Sequence, residues 1–210
     1  MLQSNTLRDR NYGVNLMLEV KPRFNSFEEY LSYNNDSEKF YELFNGELIE
    51  MPPESGLNVQ IANRLFLVFA MLFGTDRVRG QGLELEVQGE PKNRYPDLTL
   101  IREEHIQQLS KRNTIRLSMS PPLLVIEVVS PGELQRERDY IAKRIQYQSC
   151  GIPEYWIVDP QTQSILVLEL IEQNYTEVGN FTNDDLVISP GIKQLNQDLR
   201  SSESITYCID

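Results

Sequence analysis

The chain of 210 residues is expected to adopt an α/β (α+β) fold: one mixed central sheet flanked by helices, with an N-terminal β-hairpin. Two observations point there. The elements read in the order hairpin, helix, three strands, helix and further strands, which suits one mixed sheet with helices on its faces. The run Leu123-Leu124-Val125-Ile126-Glu127-Val128-Val129 is the most strand-like segment, and an acid stands in its middle. Acidic side chains are almost never fully buried without a partner. Glu127 therefore requires either an exposed strand face or something positive beside it.

Residues 1–25 show no clear period and read as an arm; 26–200 form the domain and 201–210 a tail. Ser26-Phe27-Glu28-Glu29 fits a capping box and opens a short helix to about Tyr33. Residues 40–51 read as a hairpin around Asn45-Gly46, the strongest short turn signal. A two-residue turn pairs Leu43 with Leu48 and Glu42 with Ile49, so Phe40, Glu42, Phe44, Glu47, Ile49 and Met51 share a face. Glu42 is then an acid on an apolar face, with an arginine such as Arg64 as a plain alternative partner. Pro52-Pro53 ends the hairpin, and 57–73 forms a helix closed by Gly74. That helix is apolar nearly all round in its second half and is expected in the core, against the sheet.

Residues 81–88 alternate as a strand, 89–93 turn, and 95–101 form the next strand. The connection 102–122 is polar, with a helical turn near 103–109. Ser130-Pro131-Gly132 breaks the Glu127 strand, and 133–149 is a helix. Residues 155–158 turn at Asp159-Pro160 into a strand at 165–171. A strand at 175–178 and a short helix near 194–199 complete the domain.

Bulk properties exclude several classes. At 40% hydrophobic and 24% charged residues, the composition is that of a globular protein. A net charge of -11 argues against general affinity for polyanions. Cys150 and Cys208 make no disulfide framework, so a reduced, cytoplasmic setting is expected. The N-terminus lacks a basic-then-apolar signal pattern. The longest apolar stretch, 65–73, is half of what a membrane span needs, and no membrane partner is expected. Neither a His/Cys zinc set nor a phosphate-binding glycine loop occurs. The lone His105 lies in the polar connection and is expected at the surface.

The acids form a pattern. Asp97 opens its strand and Glu127 lies three residues before Ser130 ends the other, so antiparallel neighbours would bring both carboxylates to one end of the sheet. Alternation places Asp97, Thr99 and Ile101 on one face, and Val125, Glu127 and Val129 on one face of the partner. Two converging carboxylates without a cation push one pKa up sharply, and a hard divalent cation resolves that conflict. On the next helix Arg136, Tyr140, Lys143 and Tyr147 form one narrow stripe, which can carry Lys143 back over the acids. Leu134, Ile141 and Ile145 form a separate aliphatic stripe. The plain alternatives are an ordinary Asp139–Lys143 surface pair and a Glu127–Lys143 ion pair with no metal.

Three stretches together resemble the Uma-two family of endonucleases, within the restriction-endonuclease-like superfamily. They are Tyr41-Glu42-Leu43-Phe44-Asn45-Gly46-Glu47-Leu48 leading to Met51-Pro52-Pro53; Tyr95-Pro96-Asp97-Leu98; and Ile126-Glu127-Val128-Val129-Ser130-Pro131-Gly132 continuing through Arg138-Asp139-Tyr140, Lys143, Tyr147 and 151–160. The resemblance implies a restriction-endonuclease-like fold and a metal-dependent endonuclease that hydrolyses DNA phosphodiester bonds with Mg2+ or Mn2+. It implies Asp97, Glu127, Lys143 and Glu42 as catalytic residues, the lysine having moved to the helix because Val129 stands in its usual place. The implied metal ligands are Asp97, Glu127, Glu42 and the Val128 carbonyl. Many members carry a histidine after the Pro-rich turn, where this chain has Ser55-Gly56-Leu57-Asn58. DNA is the implied substrate and a homodimer the implied assembly. Arg136, Arg138, Lys143 and Arg144, with Lys92, Arg94, Lys111, Arg112 and Arg116, supply a basic rim for it. Two rivals stand beside this reading: a module of the same fold that binds without cleaving, and a metal-dependent hydrolase of a smaller phosphoester.

Overall fold

The computed structural model describes residues 22–33, 39–182, 185–196 and 205–206. The expected arm and tail lie largely outside them. Helix α1 (Phe27–Ser32) opens as expected, with Ser26 Oγ accepting from the Glu29 amide. The Glu29 carboxylate reaches back one residue further than a capping box requires, to the Asn25 amide at 2.8 Å. Strands β1 (Tyr41–Phe44) and β2 (Glu47–Glu50) pair in the expected register. Asn45 and Gly46 both take positive φ, which suits the strand twist. A Cβ on Gly46 would lie 2.6 Å from the Phe24 carbonyl.

The buried face of the hairpin is the opposite of the expected one. Leu43 and Leu48 pack on Phe24, Phe27 and Tyr30, while Phe44 and Ile49 are exposed. The apolar partner lies on the Leu43 side, and burial follows the partner rather than the count of apolar residues per face. Asn93 pins the hairpin to the body: its Oδ1 accepts from the Leu43 amide at 2.7 Å, and its Nδ2 donates to the Tyr41 carbonyl at 2.9 Å and to Glu84 Oε1 at 2.7 Å. Asn93→Ala leaves buried partners unmet and is expected to cost about 3 kcal/mol. Urea unfolding reads that loss, and faster amide exchange over 41–50 locates it.

Helix α2 (Gly56–Phe73) runs from a Ser55 cap to Gly74. By length and composition it could cross a membrane, yet Ile61, Leu65 and Phe69 pack on the sheet. It is one-sided rather than wholly buried: Leu57, Leu67 and Met71 remain exposed. After it come β3 (Val78–Gly80), β4 (Glu84–Glu86), β5 (Asn93–Arg94), β6 (Leu98–Leu100), α3 (Glu103–Gln108), β7 (Thr114–Ile115) and β8 (Leu124–Val128). The strand expected over 81–88 is a correction. Gly82 turns the chain at φ +123, so β3 joins the central sheet and β4 a small sheet of order β5-β4-β7. His105 is a second correction. It is fully buried because its ring closes the start of α3, with Nδ1 on the Arg102 amide and Nε2 on the Ser120 carbonyl.

Helix α4 (Glu133–Glu137), a π-helical turn (Arg138–Ala142) and helix α5 (Lys143–Ser149) then run on without a break. They carry the chain from β8 to its parallel neighbour β9 (Glu154–Asp159), the crossover that parallel strands require. Strands β10 (Ser164–Ile171) and β11 (Asn174–Thr182) extend the sheet antiparallel, and α6 (Pro190–Asn196) follows, earlier than expected. The sheet order is β11-β10-β9-β8-β6-β3. Its two faces bury separate cores, one with α2 and one with Tyr147, Tyr155 and Val125. The ends of β6 and β8 lie between them.

Candidate metal and catalytic site

Strand β6 pairs antiparallel with β8, Leu98 opposite Ile126. Asp97 immediately precedes β6 and Glu127 is the fourth residue of β8, so this pairing puts the two acids toward one end of the strand pair, where the Glu127 charge acts on Asp97. Asp97 is 9% exposed and Glu127 2%. Asp97 Oδ2 accepts from the Val128 amide at 2.7 Å, and among the described residues no lysine or arginine pairs with it.

Glu127 is fully engaged. Its Oε2 accepts from Lys143 Nζ at 2.8 Å and its Oε1 from Tyr147 Oη at 2.5 Å. Lys143 Nζ also meets Asp139 Oδ1 at 2.9 Å. Asp139 is wholly buried and is backed by Arg138 at 3.0 Å. The sequence suggested Asp139–Lys143 as a surface pair. It is instead a buried one, because the helix lies over the sheet end.

The single stripe expected on that helix divides in two. Arg136 and Tyr140 turn to Asp159, as an ion pair and a hydrogen bond of 3.1 Å. Lys143 and Tyr147 turn to Glu127. The π-helical turn between them adds a residue to the winding and so changes which way α5 faces.

Charge fixes the protonation states. Burial pushes the Asp97 carboxyl up to about 8, and the Glu127 charge adds to that; Lys143 and the Val128 amide pull the other way. Lys143 sits above its ordinary value: burial opposes its charge, but Glu127 and Asp139 outweigh it. Burial raises Glu127 while the Lys143 ammonium holds it down. Lys143 is thus held as an ammonium, whereas the fold disfavours the charged form of Asp97, the acid that a cation would relieve.

A cleft opens beside Asp97, lined also by Glu54, Asn63, Gly80, Gln81 and Phe66. Glu54 Oε2 accepts from Ser130 Oγ at 3.2 Å. Asn58 is almost fully buried, and its Nδ2 donates to the Val128 carbonyl at 3.2 Å and to Ser130 Oγ at 3.1 Å. Sequence reasoning passed over Glu54; its one signal was its position just ahead of the Ser55 cap. Glu42 is held elsewhere, by Arg94 at 2.8 Å rather than Arg64, and Arg94 continues to Gln146 Oε1 at 2.8 Å. Glu42 thus stands in an ion pair with Arg94, its charge also acting on Arg138.

The donor chemistry suits a hard divalent cation. Asp97 offers an uncompensated carboxylate at a cleft, and magnesium takes one or two carboxylates with water completing its shell. No group of three or more His, Cys, Asp or Glu side chains is placed to hold a metal ion by itself among the described residues, so water would have to complete the shell.

The family model Uma2, described as "Putative restriction endonuclease", matches residues 27–200. No curated protein matches the chain. Among solved structures, one described as "a putative nuclease belonging to DUF820" from Anabaena variabilis ATCC 29413 is similar at a TM-score of 0.57 and 18% identity. The match covers 81% of this chain and 92% of that one. That likeness is one of fold: a mixed sheet flanked by helices, with an N-terminal hairpin.

Proposed function

The chain belongs to the Uma2 restriction-endonuclease family, and from that premise we propose a metal-dependent endonuclease that hydrolyses DNA phosphodiester bonds. One observation carries the reading: Asp97 is a buried acid with no counter-charge of its own, beside a completed ion pair and at the mouth of a cleft. Mg2+ or Mn2+ would be held by Asp97, with Glu54 lining the same cleft. Glu127 and the Val128 carbonyl keep lone pairs beyond those already bonded. When bound, the ion supplies Lewis-acid polarisation of a phosphate and a water of lowered pKa.

The chain's own residues divide the remaining work. Asp97 would hold the ion in its ionised form, any proton it carries passing to solvent. Lys143 is already protonated, so it holds Glu127 in place and offers positive charge to a phosphate, and it does not serve as the base. Glu42 acts through Arg94 on the helix that carries Lys143. The test is plasmid nicking with Mg2+ or Mn2+. Wild type is expected to nick, and Asp97→Asn, Glu127→Gln and Lys143→Ala each to fall by about 100-fold, a range common when charge-stabilising groups are lost. Variants as active as wild type would defeat this assignment.

A second reading has its own support, since Lys143 and Tyr147 between them already engage both carboxylate oxygens of Glu127. A binding module that kept the fold and lost cleavage would look the same there. Binding of neither divalent ion nor DNA by wild type, read by calorimetry, would favour a decayed module with a different partner; binding of the ion without nicking would favour a smaller phosphoester. A pair of copies would present two sites to two strands, and light scattering of the free protein tests for it.

A further inference from the structure

We propose that Tyr155 is a positioning residue, whose hydroxyl holds the π-helical turn that sets Lys143 and Tyr147 on Glu127. The catalytic half of this inference rests on the nuclease reading above.

The argument begins in the backbone. The Lys143 amide donates to the Arg138 carbonyl, five residues back. In an α-helix that amide would serve the Asp139 carbonyl, four residues back. The Asp139 carbonyl thus loses its α-helical donor in a buried place, where a polar group needs a partner. Tyr155 Oη donates to it at 2.9 Å.

Tyr155 is well placed to fix this turn. It stands on β9 opposite Val125 of β8, two residues from Glu127, and is fully buried. Its ring meets Tyr147 edge-on, centroids 5.1 Å apart. One side chain on the strand beside Glu127 therefore holds both the wide turn and one of the two donors to Glu127. Without the hydroxyl, the Asp139 carbonyl can recover a helical donor by drawing the Lys143 amide into the α register. That change turns Lys143 off Glu127, since each residue of winding is about 100°.

Tyr175 provides a matched control. It is also buried, and its Oη donates to a backbone carbonyl, that of Ile152, at 2.8 Å. Ile152 lies outside the helix, so Tyr175→Phe removes the same kind of bond away from the turn and keeps the ring that packs on Tyr155, centroids 6.0 Å apart.

The experiment compares wild type, Tyr155→Phe and Tyr175→Phe by two readouts: amine acylation at Lys143, located by mass spectrometry, and nicking kinetics. In wild type Lys143 is expected to resist acylation. Tyr155→Phe should raise Lys143 acylation at least tenfold and lower kcat about 10- to 100-fold with KM nearly unchanged. Tyr175→Phe should leave both within twofold of wild type at a comparable loss of melting temperature. Equal effects from the two variants, or ready acylation of Lys143 in wild type, would overturn the proposal. Should Tyr155→Phe fail to fold, amide exchange in wild type decides: slow exchange at Lys143 supports a held turn, and fast exchange there overturns it. The two readouts also separate the hypotheses. Wild type that never nicks, with the acylation contrast intact, removes the nuclease reading and leaves the turn's control of Lys143 standing.

Discussion

Asp97→Asn is expected to stabilise the fold above neutral pH while lowering nicking by about 100-fold. The Asp97 carboxyl is raised to about 8 by burial and by Glu127, against an ordinary value near 4 when unfolded. Its folded value is the higher one. Between those limits the folded state binds a proton that the unfolded state does not, so stability falls as pH rises, by ~1.4 kcal/mol per pH unit. Below pH 4 both states are protonated and nothing is lost. Above pH 8 the full cost of a buried charge is present. Asparagine removes that charge and keeps an oxygen for the Val128 amide. Water entry and relaxation absorb part of the cost, so a gain on the order of 3 kcal/mol at pH 8.5 is expected.

A divalent ion should act in the opposite sense. At saturation by 100 times its dissociation constant, Mg2+ or Mn2+ should stabilise wild type by about 2.7 kcal/mol and leave Asp97→Asn unmoved. Ion binding at pH 7 should also release close to one proton, which calorimetry in buffers of different ionisation enthalpy measures. Urea unfolding at pH 5 and 8.5, with and without the ion, gives the remainder. Equal stability of the two proteins at pH 8.5 would show that Asp97 is not the strained acid argued for here.

Much of this site was legible in one chain. The continuous apolar run 123–129 marked a strand with Glu127 inside it, and Asp97 at the start of one strand with Ser130 closing the other pointed to the antiparallel pairing of β6 and β8. Asn45-Gly46 fixed the hairpin register because few residues tolerate positive φ at both turn positions. What escaped depended on partners distant in sequence. Leu43 rather than Phe44 turned inward because Phe24 and α1 lie on its side. Glu42 found Arg94, 52 residues away, and not Arg64 on the next helix. The π-helical turn escaped for a different reason. A 3.6-residue period assumes even winding, and the residue that holds the turn open, Tyr155, lies on another element. Asp139 was visible four residues before Lys143, yet spacing alone cannot distinguish a solvated pair from one closed beneath a helix.

That buried pair sets the largest loss expected from any single change. Lys143 is the ammonium shared by Glu127 at 2.8 Å and Asp139 at 2.9 Å. Lys143→Met keeps most of the volume and removes the charge, leaving two buried carboxylates with only Arg138 near them. Breaking a buried pair from one side costs about 3–5 kcal/mol. The pH dependence follows from the signs. Without the ammonium, burial holds the Glu127 carboxyl above its unfolded value with nothing from Lys143 to oppose it. The variant then keeps its stability at pH 4 and loses it progressively as pH rises through that folded value. Its deficit against wild type should be largest at pH 8 and small at pH 4. Adding Glu127→Gln should recover part of that deficit, because it removes one of the stranded charges, and the double-mutant cycle reads the coupling directly. Cleavage should not return with it. Stability restored without activity separates the structural duty of the ion pair from its placement beside Asp97. A loss no greater than that of Lys193→Met, an exposed lysine, would mean that Glu127 needs no cation in the fold.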